Sequence, residues 1–163
     1  LWPRCMAVYS FGKTFHATGW KMGYLVAPEE LSTEIRKVHQ YNVFCANAPI
    51  QYAMADYIQE EDKWRNLAAF YQKKRDLMED ILRDTPLRPI KSLGTYYLMA
   101  DFSNFSKQSD TKFAEWLTQE IGVAVIPPSV FYTDGLDEGL VRICFAKKED
   151  TLQQAGERLQ KLT

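Results

Sequence analysis

The sequence has little of what would mark a membrane, secreted or nucleic-acid-binding chain. No apolar run approaches the roughly 18 residues that a membrane helix requires, and we expect no signal peptide ahead of the first apolar segment. Charge of neither sign dominates: 20 basic and 21 acidic residues leave a net charge of -1. That balance gives no general attraction to nucleic acid or to an anionic bilayer, and we expect neither as a partner. Cysteine is scarce. Cys5, Cys45 and Cys144 are an odd, widely spaced set, with neither a CxxC pair nor a metal-ligand spacing to the two histidines. We expect reduced, buried thiols of a cytoplasmic protein, and no metal site.

What is present is enough for a folded core: 46% apolar and 13% aromatic residues in a chain of 163. Residues 5–10 (CMAVYS) and 22–27 (MGYLVA) are short apolar runs that predict two buried strands. Between them lies residues 10–21, SFGKTFHATGWK, where a functional loop at strand ends would sit. The chain opens on Leu1 and runs at once into the first apolar segment, an awkward natural start that leads us to expect a truncated chain.

From Pro28 the spacing of Leu31, Ile35, Val38 and Cys45 predicts a helix, interrupted at residues 47–49 by proline. Ile50, Ala53, Met54, Tyr57 and Ile58 mark a second helix. The acidic residues 60–62 open a long third one with Trp64, Leu67, Tyr71, Met78 and Ile81 on one face, their charge suiting its dipole. Residues 85–89 end it, and 95–102 (TYYLMADF) predicts a strand. Asp110 is placed to cap a helix with Phe113, Trp116, Leu117 and Ile121 inward, closed by Gly122. A short strand at 123–126, a long loop at 127–139 and a strand at 140–145 follow. The last helix carries Leu152, Ala155, Leu159 and Leu162 on one face.

This pattern divides in two. Residues 1–60 read as the end of a larger α/β layer, because two strands cannot form a stable sheet alone. Residues 61–163 read as an α+β unit with a small sheet covered by helices.

Three cations stand out chemically. A lysine that forms an imine with a carbonyl cofactor must lose its proton, so Lys13 would need a partly desolvated place near other positive charge, which Lys21 and Arg142 could supply. Ser10 and Lys21 could grip a phosphate. Arg142 interrupts the apolar run LVRICF, and a partly buried guanidinium there calls for a carboxylate. Each has a plain alternative: a solvated loop lysine at 13, a surface residue at 21, an ion pair with one of the chain's own acids at 142.

The segments SFGKTFHATGWKMGYLVAP, IRKVHQYNVFCANAPIQYA, GTYYLMADFS, VAVIPPSVFY and LVRICFAKKEDTL resemble the class I/II aminotransferases of the fold-type I pyridoxal-phosphate superfamily. Within that family the resemblance is to the kynurenine and methionine aminotransferase branch, and it covers nearly the whole chain. It implies an α/β fold: the end of the large-domain sheet (1–60) and a small α+β domain (61–163). It also implies pyridoxal 5'-phosphate as cofactor, bound as a Schiff base on Lys13, the general acid and base. Ser10 and Lys21 would hold the cofactor phosphate, Arg142 the substrate α-carboxylate, and Tyr96 and Phe131 would line the substrate side. The implied reaction moves an amino group from a methionine-like, aromatic or kynurenine substrate to a 2-oxo acid, in a homodimer. A cysteine-conjugate β-lyase on the same fold, or a non-catalytic remnant, are the alternatives. The family's partner for the pyridine nitrogen, its ring-stacking aromatic and its phosphate turn lie upstream of this sequence, so the 163 residues alone are expected to be inactive.

Overall fold

In the computed structural model, which describes residues 1–162, the chain divides into a unit spanning Leu1–Leu67 and a second beginning at Ala68. In the first, β1 (Ala7–Ser10) and β2 (Gly23–Val26) form a two-stranded antiparallel ribbon with Ser10 opposite Gly23. Between them the chain makes one short helix, α1 (Phe11–Thr14), and a 3-10 turn at Thr18–Trp20. The strands fall where the apolar runs place them, but they are not buried. Val8 is 77% exposed, and every residue of β2 is exposed. The reason is topological: each strand pairs only with the other, and no layer of this unit closes over the ribbon.

Two helices follow. α2 (Glu29–Asn42) starts directly after Pro28, with Glu29 and Glu30 in its first turn, a favourable placement of negative charge. It ends three residues before Cys45, which is exposed and outside the helix rather than on its inner face. α3 (Ala48–Ile58) is capped by Asn47, whose side chain accepts the Ile50 N–H, and buries Met54. The acidic residues expected to open the next helix instead form a separate 3-10 turn at Glu61–Lys63, and Trp64 lies beyond it, outside the helix. The Trp64 indole donates to the Ile58 carbonyl, which folds the chain back at that point.

The second unit contains the core. α4 (Leu67–Arg83) buries Lys74, Met78 and Leu82, and its first turn carries no acid. The Lys74 ammonium lies over the Phe70 ring and donates to the Lys147 carbonyl, so a buried cation is given a ring and a hydrogen-bond acceptor. β3 (Arg88–Ile90), which the sequence reading does not predict, takes the sheet edge, where the missing N–H of Pro89 costs nothing. β4 (Tyr97–Asp101) is central, and β5 (Leu140–Cys144) closes an antiparallel order β3-β4-β5.

Between β4 and β5 runs α5 (Asp110–Trp116), continued by a π-helical turn at Leu117–Ile121 and closed by Gly122 at φ 75. Its cap is Ser109, which accepts the Lys112 N–H; Asp110 occupies the first helical position and is 1% exposed. Residues 123–126 form no strand. Ile126 alone bridges to Arg142, because Pro127 and Pro128 stop the ladder there. α6 (Glu149–Leu159) packs close to α4: a Cβ at Gly156 would lie 2.7 Å from Ile81 Cγ2.

Side chains alternate across the sheet. Leu98, Ala100, Val141 and Ile143 point into a core shared with Met78, Leu82, Phe102, Phe113, Leu117, Leu152 and Leu159. Phe102 and Phe113 stack at 4.1 Å. The cysteines are free, none of them buried as expected: Cys45 is exposed, Cys5 and Cys144 partly so. Among the described residues no helix is long and apolar enough to cross a membrane.

Two outcomes test these arrangements. A Cβ at Gly23 would stand 2.4 Å from the Tyr9 carbonyl oxygen, whereas one at Gly19 would meet nothing within 4 Å. Gly23→Ala should therefore open the ribbon and cost about 1–3 kcal/mol, with Gly19→Ala within roughly 0.5 kcal/mol of wild type, as read by chemical denaturation. Asp101 accepts the Ser103 N–H at 2.7 Å, and this bonding to Ser103, with Arg88 and Lys107 nearby, holds its carboxyl below the ordinary carboxylate value. A depressed folded-state value stabilises above the unfolded value and is lost as pH falls through the folded one. The stability gap between wild type and Asp101→Asn should thus be largest at neutral pH and shrink on acidification.

Candidate functional site

Two clusters contain the candidate residues, one in each unit. In the first, Ser10 ends β1 and immediately precedes α1, which carries Lys13 in its only turn. The turn is held by backbone and hydroxyl contacts. The Gly12 N–H reaches the Met22 carbonyl at 3.4 Å, Thr18 Oγ1 donates to the Gly12 carbonyl at 3.2 Å, and Thr14 Oγ1 donates to the Ser10 carbonyl at 3.3 Å. Gly12 is buried where a Cβ would press on Thr18 Cα at 3.1 Å and the Ala17 carbonyl oxygen at 3.2 Å. A larger residue would push the lysine turn outward.

Rings brace the same turn. Tyr9 stacks on Tyr24 across the ribbon at 4.7 Å, Phe11 meets Tyr24 at 4.9 Å, and Phe15 meets Tyr57 of α3 edge-on at 5.1 Å. Lys21 closes the loop in the left-handed region, at φ 52, a conformation that costs a non-glycine residue energy and is concentrated at functional sites. Since Ser10 pairs with Gly23, Ser10 and Lys21 lie at the same end of the ribbon. The Ser10 hydroxyl caps no helix N–H, and among the described residues no ion pair involves Lys21. Lys13, Ser10 and Lys21 are all exposed in this chain, so the partial desolvation expected at Lys13 is not supplied by this unit.

The second cluster surrounds Arg142 on β5. Alternation puts Arg142 on the sheet face opposite Val141 and Ile143, in register with Met99. Its backbone N–H and C=O both bond to Ile126, at 2.8 and 3.1 Å. The guanidinium lies over the Tyr97 ring at 4.7 Å and the Phe131 ring at 5.5 Å. Among the described residues it forms no ion pair, so the internal-acid alternative is not realised there. A half-buried cation braced by two rings and lacking a counter-ion can accept a planar anion at its free fork.

Phe131 is thus brought to Arg142; Tyr96 is not the ring beside it. Tyr96, like Tyr71, packs against the core, and burial, then Cys144 and Tyr96, push the Tyr71 hydroxyl above its ordinary value. Tyr97, overlooked from the sequence, is the ring on the arginine. Its signal was available in the alternation: with Leu98 and Ala100 inward, Tyr97 and Met99 must face the other way. Asp110 was missed as well, read only as a cap. Its carboxylate instead accepts the Ser129 N–H at 2.8 Å and the Ser129 O–H at 2.7 Å, nineteen residues away.

The sequence model for Aminotransferase class I and II matches residues 2–159. The chain is 51% identical over 160 residues to the methionine aminotransferase of Escherichia coli, covering 98% of this chain and 42% of that protein. It is 36% identical to the kynurenine–oxoglutarate transaminase of Dictyostelium discoideum, over 99% of this chain and 42% of that one. Its structure superposes on the crystal structure of YbdL from Escherichia coli, a methionine aminotransferase, with a TM-score of 0.91 at 50% identity, over 99% of this chain and 43% of that one. An aromatic aminotransferase from Pyrococcus horikoshii superposes with a TM-score of 0.84 at 31% identity, over 98% of this chain and 43% of that one. The chain therefore spans about 42% of the length of the curated relatives it matches, and it belongs to the class I and II aminotransferase family.

Proposed function

We propose that this chain carries the lysine turn and the carboxylate clamp of a pyridoxal-phosphate-dependent aminotransferase. In this reading the whole protein moves an amino group from an amino acid to a 2-oxo acid. The observation that carries it is the turn itself: in sequence Lys13 stands between Ser10 and Lys21 at one end of a ribbon, and among the described residues the Ser10 hydroxyl caps no helix N–H and Lys21 forms no ion pair. That donor set suits the cofactor. It includes an amine of the kind that condenses with a carbonyl, and a hydroxyl and a cation of the kind that hold a phosphate. We read the first unit as the end of the large cofactor-binding domain and the second as the small domain.

Bound pyridoxal phosphate would supply a conjugated ring that draws electrons from the substrate α-carbon. The remaining work falls to side chains. Ser10 and Lys21 would hold the phosphate, with Lys21 acting as a point charge. The Lys13 amine would hold the cofactor's carbonyl end and would take and return the substrate α-proton as general base and acid. Arg142 holds the substrate carboxylate bidentately, and the Tyr97 and Phe131 rings fix the plane of the guanidinium, so little rotamer freedom remains to be lost on binding. A methionine-like, aromatic or kynurenine substrate fits this apolar, ring-lined surround and agrees with the activities for which the relatives are named.

The first unit leaves Val8, Tyr41, Phe44 and Tyr52 at least 75% exposed, more apolar surface than a free unit would be expected to present, which suits further protein packed on it, including a second copy. No partner for the pyridine nitrogen is assigned within these 163 residues, and on their own they should not transaminate.

Three measurements decide this reading, all on the full-length protein. Pyridoxal phosphate added to it should give the visible absorbance of a lysine-bound cofactor, and Lys13→Ala should abolish that band and reduce turnover by roughly 10⁴-fold or more, as loss of a covalent catalyst does. An unchanged band in Lys13→Ala would overturn the assignment. Arg142→Lys should raise KM for methionine about tenfold or more, since a point charge replaces a two-pronged contact. Product analysis with methionine and a 2-oxo acid should yield the exchanged pair; pyruvate, ammonia and a thiol formed from a cysteine S-conjugate, without an exchanged pair, would instead favour the β-lyase.

A further inference from the structure

We propose that Asp110 is a positioning residue for the carboxylate clamp, holding Phe131 against Arg142 through Ser129. The inference rests on the reading of Arg142 as that clamp. Phe131 is 65% exposed and sits on a 3-10 turn at Pro128–Phe131 within the loop 127–139. An exposed ring on a loop that long would sample many orientations unless its backbone were fixed. The fixing comes from one buried side chain. Asp110 is 1% exposed, and its two carboxylate oxygens take the backbone N–H and the hydroxyl of Ser129, which stands two residues before Phe131 on the same turn.

The far end of the loop is tied to the same point. The Asp110 N–H donates to Asp137 Oδ2 at 2.8 Å, while Asp137 Oδ1 accepts the Gly139 N–H at 2.9 Å. Gly139 in turn gives its carbonyl to the Phe102 N–H at 3.0 Å, just beyond β4. The near end is held by the paired Ile126–Arg142 bonds. Asp110 is therefore the internal anchor of a loop whose two ends are fixed to the sheet that bears Arg142. Breaking its bonds leaves the Ser129 N–H without a buried acceptor, and the turn shifts to find water, taking Phe131 off the guanidinium.

A mutant cycle in the full-length enzyme loaded with pyridoxal phosphate tests this. Asp110→Ala should raise KM for methionine about fivefold, the effect of one ring contact on a cation, with kcat within about twofold of wild type. In a Phe131→Ala background the same substitution should change KM no further. Asp110→Asn, whose Oδ1 can accept the Ser129 N–H and whose amide can donate to its hydroxyl, should restore most of the affinity. If Asp110→Ala does not fold, Ser129→Ala takes its place in the same cycle, with a KM rise of about twofold expected from one lost hydrogen bond. An equal effect with and without Phe131, or no effect in either background, overturns the proposal. Arg142→Lys with unchanged KM would overturn the clamp reading itself, and so separates the two failures.

Discussion

Side-chain alternation in the β4–β5 pair is the constraint on which the second unit depends. One face must take Leu98, Ala100, Val141 and Ile143 into the core, each nearly or wholly withdrawn from solvent, at about 25 cal/mol per Å² of apolar surface. That requirement leaves no choice for the residues between them. Arg142 has to lie on the opposite face, with Met99 across from it and Tyr97 two pairs further along. Slipping either strand by one residue would bury the guanidinium among leucines and phenylalanines, at a desolvation cost the fold could not sustain. The position of the cation is in that sense set by the core, although the cation takes no part in it.

The lysine turn of the first unit follows a different logic. No core lies beneath it; what holds it is a four-pair ribbon, a handful of backbone and hydroxyl bonds, and a run of ring contacts from Tyr9 through Tyr24 and Phe11. Such local bonding fixes which residues stand together without burying them. Lys13, Ser10 and Lys21 remain exposed, as does most of the ribbon. Lys21 bears the strain of the arrangement in its left-handed backbone, where an asparagine or glycine would sit more easily.

Buried polar groups in the second unit are economical by comparison. Lys74 finds a carbonyl and a ring, and Asp110 finds both donors of Ser129. Among the described residues neither forms an ion pair, and each ties a loop or strand end to a helix. The loop 127–139 gains its order this way, from a helix start, a sheet edge and a strand end together.

Much of this was legible in the chain. The lysine turn, the arginine interrupting an apolar strand, the helices from 29, 48 and 149, and the glycine closing α5 all follow from local spacing, and the family followed from motifs spread over nearly the whole length. What local spacing could not report was cover. The runs at 5–10 and 22–27 are apolar enough for buried strands, but burial depends on a second layer, and a ribbon paired only with itself has none in this unit. Nor could it report contacts between residues remote in sequence. Asp110 looked like a cap because helix starts favour aspartate, while its partners lie 19 and 27 residues away in a loop. The alternation of their strand separates Tyr96 from Tyr97, but only the pairing with β5 shows that the outward ring meets Arg142. The sequence by itself determined the chemical groups and the elements that carry them. Only the tertiary structure decided which face each group took and what fixed it there, because facing and anchoring are set by packing between segments far apart along the chain.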